Sequence, residues 1–264
     1  MSDVTVERHG AVALLTLNRP HRANAVGGTL MRDILHGAEA ADADPGVGAI
    51  VTTGAGRTFC VGADVAELGE LGAAGPIDLT EVGVDGVGGE KGLDPIPPSQ
   101  DALGIGRWTL RMLALRTPTV AAINGGAGGG GLAIAMLHDV RIAARGARLS
   151  FGWSRLGLVP EMGMSWLIPH LFGAARAFEL FTRTAPIEAD EALELGMLAA
   201  VVDPDELPDA ALAEAERLAR LPAGAYAELK ALLLSSRGPL GPQLENEWAA
   251  QTRRFRAGLS LPSA

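Results

Sequence analysis

The order of apolar and polar residues along the chain predicts alternating strands and helices. Residues 4–17 read as two short strands on either side of the His9–Gly10 turn. The second of them is apolar at nearly every position, which is typical of a strand buried on both faces. A helix at about 26–43, a buried strand at 48–54 and a short helix opened by Asp64 as its N-cap follow. The pattern predicts an α/β fold.

The middle of the chain contains two stretches rich in glycine. Residues 72–100 also contain many prolines and show no sustained period, so we expect a long loop there, which in a compact domain is usually functional or disordered. A helix at about 101–115 and a strand at 119–123 come next. The run "NGGAGGGG" (124–131) then leads into a helix at about 131–137, and strands are expected in "VRIAAR" and "ARLSF".

After Gly163 the pattern becomes helical almost to the end of the chain. One short strand is expected at "AAVVD" (199–203). The predicted helices cover residues 163–171, 174–182, 188–195, 205–220, 223–236 and 242–257. We therefore predict a core over residues 1–200 that carries binding and catalysis, and a C-terminal helical region over residues 201–264.

Composition and charge exclude several classes of function. The chain has 264 residues and a net charge of −9, which argues against generic binding to nucleic acid or to an anionic membrane. Its one cysteine, Cys60, cannot form an intramolecular disulfide, and the N-terminus lacks an apolar secretory segment, so we predict a cytoplasmic protein. The histidines have no metal-ligand spacing, so no metal is expected.

Two strand–loop–helix stretches can carry chemistry. In "GRTFCVGADVAEL" (56–68) and again in "NGGAGGGGLAIAM" (124–136), a strand ends, a glycine-bearing turn follows and a helix begins. The first N–H groups of a helix have no intrahelical acceptor, and glycine lets the backbone approach a ligand closely. The two loops could converge on one carbonyl oxygen and form an oxyanion hole from backbone alone.

Four segments in this order resemble the enoyl-CoA hydratase/isomerase (crotonase) superfamily: "LNRPHRANAV", "GRTFCVGADVAEL", "AAINGGAGGGGLAIAMLHDVRIAA" and "LGLVP". The resemblance covers about residues 4–235. It implies a crotonase-type spiral of ββα units, whose C-terminal helices build a trimer or a dimer of trimers. It also implies an acyl-CoA substrate that brings coenzyme A with it, no separate cofactor, and oxyanion-hole donors at Ala63 and Gly130. The substrate or CoA contacts that it implies are Arg22, Ala23, Ala25, Asp64, Val65, Gly129 and Trp153.

The sequence departs from the hydratases of this superfamily at both of their catalytic positions. Hydratases use two glutamates to add water to a conjugated double bond, and the matching positions here are Ala133 and Trp153. Alanine has no titratable group and the tryptophan indole only donates a hydrogen bond, so neither can activate a water.

Glu161, just after "LGLVP", matches the single catalytic glutamate of the delta-3,delta-2-enoyl-CoA isomerases. We therefore expect an isomerase with Glu161 as its base, its pKa raised by apolar neighbours such as Met162. The alternatives are a hydratase of fatty-acid oxidation, a hydrolase or dehalogenase with Glu161 as nucleophile, and an acyl-CoA-binding homologue without activity. Glu161 could also simply cap the helix predicted from residue 163.

Overall fold

The computed structural model describes residues 2–73, 103–235 and 240–256. The long loop predicted at 72–100 falls almost wholly on residues that lie outside these ranges. The strands are β1 Val4–His9, β2 Val12–Leu17, β3 Ala49–Gly54, β4 Thr58–Cys60, β5 Thr119–Ile123, β6 Gly126–Gly128, β7 Val140–Ala144, β8 Arg148–Ser150, β9 Ile187–Glu188 and β10 Ala200–Val202. The helices are α1 Leu30–Ala43, α2 Val65–Ala73, α3 Gly106–Ala114, α4 Gly130–Met136, α5 Met164–Phe172, α6 Ala174–Thr182, α7 Ala189–Glu194, α8 Leu207–Ala219, α9 Ala223–Ser235 and α10 Leu240–Arg256.

The strands form two sheets. The larger has the order β1-β2-β3-β5-β7-β10, and only its β1–β2 pair is antiparallel. The smaller has the order β4-β6-β8-β9, with its antiparallel pair between β8 and β9.

From β3 to β8, consecutive strands alternate between the two sheets. The chain passes from β3 to β4, from β5 to β6 and from β7 to β8, and each time it leaves the larger sheet for the smaller one. A helix follows each of the first two pairs, α2 after β4 and α4 after β6. This is the repeated ββα connection that the resemblance implied, and it confirms the predicted fold class.

The larger sheet is covered on both faces. On one face the side chains of α8 pack against the sheet at one-turn spacing, namely Leu207, Ala211, Ala215 and Leu218. On the other face lies the main core, which contains α1 and α4. The apolar run of β2 predicted such a doubly buried strand, and four of its six residues are buried.

Several element boundaries differ from those expected. The first helix begins at Leu30 instead of about residue 26, because Val26 pairs with Ala63 in an isolated parallel bridge. The turn expected after residue 54 contains the short strand β4, and part of the glycine run forms β6. Both strands are three residues long, too short to show a period of two in the sequence.

The C-terminal helix α10 returns to the core. Its apolar residues Leu240, Leu244, Trp248 and Phe255 are buried in the same cluster as the strands and α4. The approach is close, since a Cβ atom on Gly104 would lie 2.3 Å from the Trp248 ring. Helix α10 therefore packs directly on the part of the fold that carries the candidate site. The predicted division at residue 200 stays a prediction.

Candidate active site

The two glycine-bearing loops meet at one cavity of about 320 Å³. We call residues 61–64 the first loop and residues 128–130 the second loop. Six residues predicted to act in catalysis or binding line the cavity: Ala63, Val65, Gly129, Gly130, Trp153 and Glu161. A largely apolar concavity of this size with few polar groups is usual for a small-molecule site.

The first loop leaves the Ala63 N–H available. The residues on either side of Ala63 are both hydrogen-bonded to Val26. The Val26 N–H donates to the Gly62 carbonyl at 2.7 Å, and the Asp64 N–H donates to the Val26 carbonyl at 3.1 Å. Within the described part of the chain, the N–H of Ala63 donates to no protein acceptor. A donor left unused at a cavity wall can bind an oxygen of a ligand.

The second loop likewise leaves the N–H of Gly130 available. The Gly129 N–H donates to the Ser150 carbonyl at 2.9 Å, and this bond ties the loop to strand β8. Gly130 is the first residue of α4, so its own N–H precedes the first intrahelical bond. The backbone at Gly129 has φ 48° and ψ −121°, a conformation that favours glycine.

The two loops touch each other through glycine backbone. A Cβ atom on Gly62 would lie 2.4 Å from the Gly128 carbonyl oxygen and 3.3 Å from the Gly130 nitrogen. Residues with side chains would therefore force the loops apart. The Ala63 and Gly130 segments therefore lie side by side in the wall of one cavity, and their joint action on one oxygen stays a prediction.

Glu161 faces the same cavity. Glu161 lies in the turn before α5. The next residue, Met162, is close to the second loop, because a Cβ atom built on Gly130 would lie 3.8 Å from the Met162 Sδ atom. Met162 itself has a left-handed φ of 54°, which is uncommon for a residue with a side chain. Burial raises the pKa of Glu161 above its ordinary value, and the hydrogen bond from Gln251 and the nearby side chain of Trp153 partly oppose this rise. The side chain does not cap α5, because the carboxylate of Glu247 takes that place.

Trp153 occupies the wall beside Glu161. It is buried within a cluster of aromatic rings, with its ring centroid 6.5 Å from that of Phe151 and 6.2 Å from that of Phe181. Its side chain lowers the pKa of Glu161 and so favours the charged form of the candidate base. The tryptophan stands at a position where hydratases have a second acid.

The other hydratase position offers no acid either. Ala133 is fully buried within α4. Among the described residues that line the cavity, Glu161 is the only carboxylic acid. In the described part of the cavity wall, one carboxylic acid is thus accompanied by two backbone N–H groups without a protein acceptor.

Four predicted contact residues are in or beside the first loop but outside the described wall of the cavity: Arg22, Ala23, Ala25 and Asp64. The Ala23 carbonyl accepts the Val61 N–H, and the Ala25 carbonyl accepts a bond from Arg19. Asp64 caps α2 by accepting the Ala66 N–H at 3.1 Å, as expected. Its Oδ1 atom also lies 3.8 Å from Nη1 of Arg22. Their contact with coenzyme A stays a prediction.

Sequence reasoning missed Gln251. Its amide Nε2 donates to Glu161 Oε2 at 3.1 Å, across 90 residues of chain. The helical pattern of residues 242–257 predicted the helix but not which of its polar residues would reach the site.

Two further findings bear on function. In residues 2–73, 103–235 and 240–256, no group of three or more His, Cys, Asp or Glu side chains is arranged to hold a metal ion. Over the same residues, every helix is too short or too polar to cross a bilayer.

Comparisons with known proteins bear directly on this site. The model of the enoyl-CoA hydratase/isomerase family matches residues 7–81 and 105–256. A probable enoyl-CoA hydratase of Mycobacterium bovis is 32% identical over 222 residues, which is 84% of this chain and 77% of that protein. The chain belongs to the enoyl-CoA hydratase/isomerase family. The resemblance seen in the four sequence segments is therefore confirmed.

The family contains both hydratases and isomerases, and it acts on acyl-CoA substrates. The 1,2-epoxyphenylacetyl-CoA isomerase of Escherichia coli is 30% identical over 260 residues, or 94% of this chain and 90% of that enzyme. The crystal structure of a monofunctional enoyl-CoA isomerase from M. smegmatis superposes with a TM-score of 0.69, at 28% identity, over 93% of this chain and 98% of that one. The chain is thus an enzyme of this family.

Proposed function

We propose that this enzyme is an enoyl-CoA isomerase that converts a 3-enoyl-CoA into the conjugated 2-enoyl-CoA. The observation that carries the proposal is the composition of the cavity wall. Glu161 is its only carboxylic acid among the described residues, and it shares the wall with Ala63 and Gly130. An isomerase needs one base and a site for the enolate oxygen.

The reaction follows from this arrangement. The thioester oxygen accepts hydrogen bonds from the N–H groups of Ala63 and Gly130, which acidifies the protons on C2. Glu161 takes one of these protons, and the electron pair spreads over the dienolate that the two N–H groups stabilise. Protonated Glu161 then returns the proton at C4, so the double bond moves into conjugation and the base is regenerated. The reaction is redox-neutral and needs no cofactor beyond the coenzyme A of its substrate.

The raised pKa of Glu161 suits this role. A carboxylate that has lost its hydration is a stronger base. Burial therefore brings the proton affinity of Glu161 closer to that needed to remove a proton from C2. Removing one oxyanion donor typically costs on the order of 3 kcal/mol in the transition state, so two such donors supply a substantial part of the catalysis.

The apolar face of α9 supports the oligomer that the resemblance implied. Leu229, Leu232 and Leu233 are 52%, 66% and 55% exposed, although leucine side chains on a helix are normally turned inward. We propose that this face is covered by another copy of the chain in a trimer.

The isomerase assay uses a short-chain 3-enoyl-CoA and follows the absorbance of the conjugated thioester. We expect turnover by the natural protein and slow or absent hydration of crotonyl-CoA. Glu161→Gln should lower kcat about 1,000-fold while an acyl-CoA still binds, since general acid–base catalysis contributes factors of this size. The matched control is Glu179→Gln, which makes the same change at an exposed ion pair on α6.

The alternatives give different results in the same assays. Rapid hydration of crotonyl-CoA without isomerisation would show a hydratase, the activity named for the M. bovis relative. A covalent acyl-enzyme on Glu161, seen by mass spectrometry, would show a nucleophilic mechanism. Binding without turnover on a panel of CoA esters would show a protein that only binds acyl-CoA.

A further inference from the structure

Helix α10 places two buried polar residues under the turn that carries Glu161. Glu247 and Gln251 are four residues apart, so they lie one above the other on the same face of the helix. They are 5% and 2% exposed, and both contact residues 159–165. Polar groups this deeply buried are expected to have specific partners, because burying them without hydrogen bonds is costly.

Gln251 holds the candidate base through an amide whose orientation is fixed. Its Nε2 donates to Glu161 Oε2 at 3.1 Å, and its Oε1 accepts the Val159 N–H at 3.4 Å. The second bond decides which end of the amide faces the carboxylate, since the Val159 N–H can only donate. The side chain therefore joins the backbone before Glu161 to the carboxylate of Glu161.

Glu247 holds the chain on the other side of the turn. Its carboxylate accepts the Gly163 N–H at 2.7 Å and the Ser165 N–H at 3.0 Å, together with the Ser165 hydroxyl. These N–H groups are at the start of α5, where the N-cap residue Gly163 has no side chain to accept them. The turn with Glu161 and the left-handed Met162 is thus tied to α10 at both ends.

A neutral amide is well suited to hold a base. A lysine or arginine in this position would lower the pKa of the carboxylate strongly and weaken it as a proton acceptor. The amide of Gln251 orients the carboxylate with less effect on its pKa, and Trp153, which also lowers this pKa, is neutral as well. The bond from Gln251 restricts the carboxylate while it remains next to the cavity.

We propose that Gln251 is a positioning residue, which fixes the Glu161 carboxylate for proton transfer and makes α10 part of the reacting site. The inference rests on the proposed function, in which Glu161 must reach both C2 and C4 of the same substrate. A carboxylate free to rotate would meet these two carbons less often, and small losses of alignment lower rates strongly.

The test replaces Gln251 by methionine, which has similar length and favours helices but forms neither hydrogen bond. We expect kcat to fall about tenfold or more with KM within about twofold of the natural value. The acid limb of the kcat profile should move about one pH unit upward, because a bond to the charged carboxylate has been removed. A residue with a purely structural role would not move this limb.

The matched control is Thr252→Val on the same helix. Thr252 is also buried and its hydroxyl has no hydrogen-bond partner among the described residues, so this substitution removes a polar group without touching Glu161. We expect natural kcat and an unchanged acid limb. The inference would be overturned if Thr252→Val and Gln251→Met changed kcat and the acid limb equally. It would also be overturned if Gln251→Met had the kcat and acid limb of the natural protein. Gln251→Asn, one methylene shorter, provides the same comparison if the methionine variant does not fold.

A second readout does not depend on turnover. Titration of ¹³C-carboxyl-labelled protein, with the Glu161 signal assigned by its absence in Glu161→Gln, measures the pKa of this side chain directly. A higher Glu161 pKa in Gln251→Met supports the inference even if the natural protein isomerises no 3-enoyl-CoA, in which case only the proposed function fails. An unchanged Glu161 pKa overturns the inference even in an active isomerase.

Discussion

Gly62 and Gly128 approach each other so closely that no side chain fits between them. A Cβ atom on Gly62 would be 2.4 Å from the Gly128 carbonyl oxygen, and the φ of Gly62 is 91°. Both the space and the backbone conformation therefore require glycine at this position. The contact sets the distance between the two loops whose N–H groups are proposed to hold the thioester oxygen.

Replacing Gly62 by alanine should separate the loops and lower kcat/KM for a 3-enoyl-CoA about 100-fold, the size of effect seen when one oxyanion donor is lost. Steady-state kinetics by conjugated-thioester absorbance measures this. The matched control is Gly224→Ala on α9, where a Cβ atom would have no neighbour within 4 Å in the described part of the chain and where alanine favours the helix. If Gly62→Ala kept natural activity, the loop contact would have no part in catalysis.

The pH dependence of the reaction should report the buried base. Burial raises the pKa of Glu161 above its ordinary value of 4.5, and only the ionised form can take the proton from C2. We therefore expect kcat/KM to decrease toward acid pH with a midpoint above 4.5. Rate profiles between pH 4 and 8 measure it, and the Glu161→Gln variant should lose this acid limb. A midpoint at or below 4.5 would contradict a desolvated base.

The sequence predicted the loops because their signals are local. Glycines, strand ends and helix starts lie next to one another in residues 56–68 and 124–136, and they directly indicate where free N–H groups occur. The position of Glu161 came from the resemblance, since a carboxylate among apolar residues could equally have capped α5. The residue that caps α5 is Glu247, from a helix far along the chain.

The contacts of Glu161 could not be predicted in the same way. Gln251 is 90 residues away, and its role depends on the angle at which α10 packs against α5. A helical pattern shows which face is buried but not where that face meets another element. The start of α1 was misplaced for a similar reason, because the bridge between Val26 and Ala63 is a tertiary contact.

The cysteine should be unreactive in the folded protein. Cys60 is fully buried at the end of β4, and burial raises the pKa of its thiol to about 12. Because the thiolate is the reactive form, a disulfide reagent at pH 8 should modify the native protein very slowly and the unfolded protein quickly. The chain has one cysteine, so absorbance of the released thiol counts this site alone. Rapid reaction of native protein would show that β4 opens easily.

His138 should make the protein less stable in weak acid. The ring is buried, with Nδ1 2.8 Å from the Ile134 carbonyl and Nε2 2.9 Å from the Thr52 hydroxyl. Since the carbonyl can only accept, Nδ1 carries the proton of the neutral ring and Nε2 accepts from Thr52. Burial lowers the pKa of His138 from 6.5 to about 4, so the folded protein keeps the ring neutral where the unfolded chain protonates it.

The sign of the effect follows from this difference. Below pH 6.5 the unfolded chain binds a proton that the folded protein does not, and stability is lost as the pH falls toward 4. Between pH 7 and pH 5 the contribution of His138 to the free energy of unfolding should fall by about 2 kcal/mol. Glu247 has the opposite effect on stability, because burial raises its pKa to about 7. Its contribution to the free energy of unfolding therefore increases as the pH falls from 7 to 5. The measurement is therefore the difference in urea-unfolding free energy between natural protein and His138→Gln at the two pH values. This difference should shrink by about 2 kcal/mol at pH 5, and a constant difference would mean that His138 is protonated equally in both states.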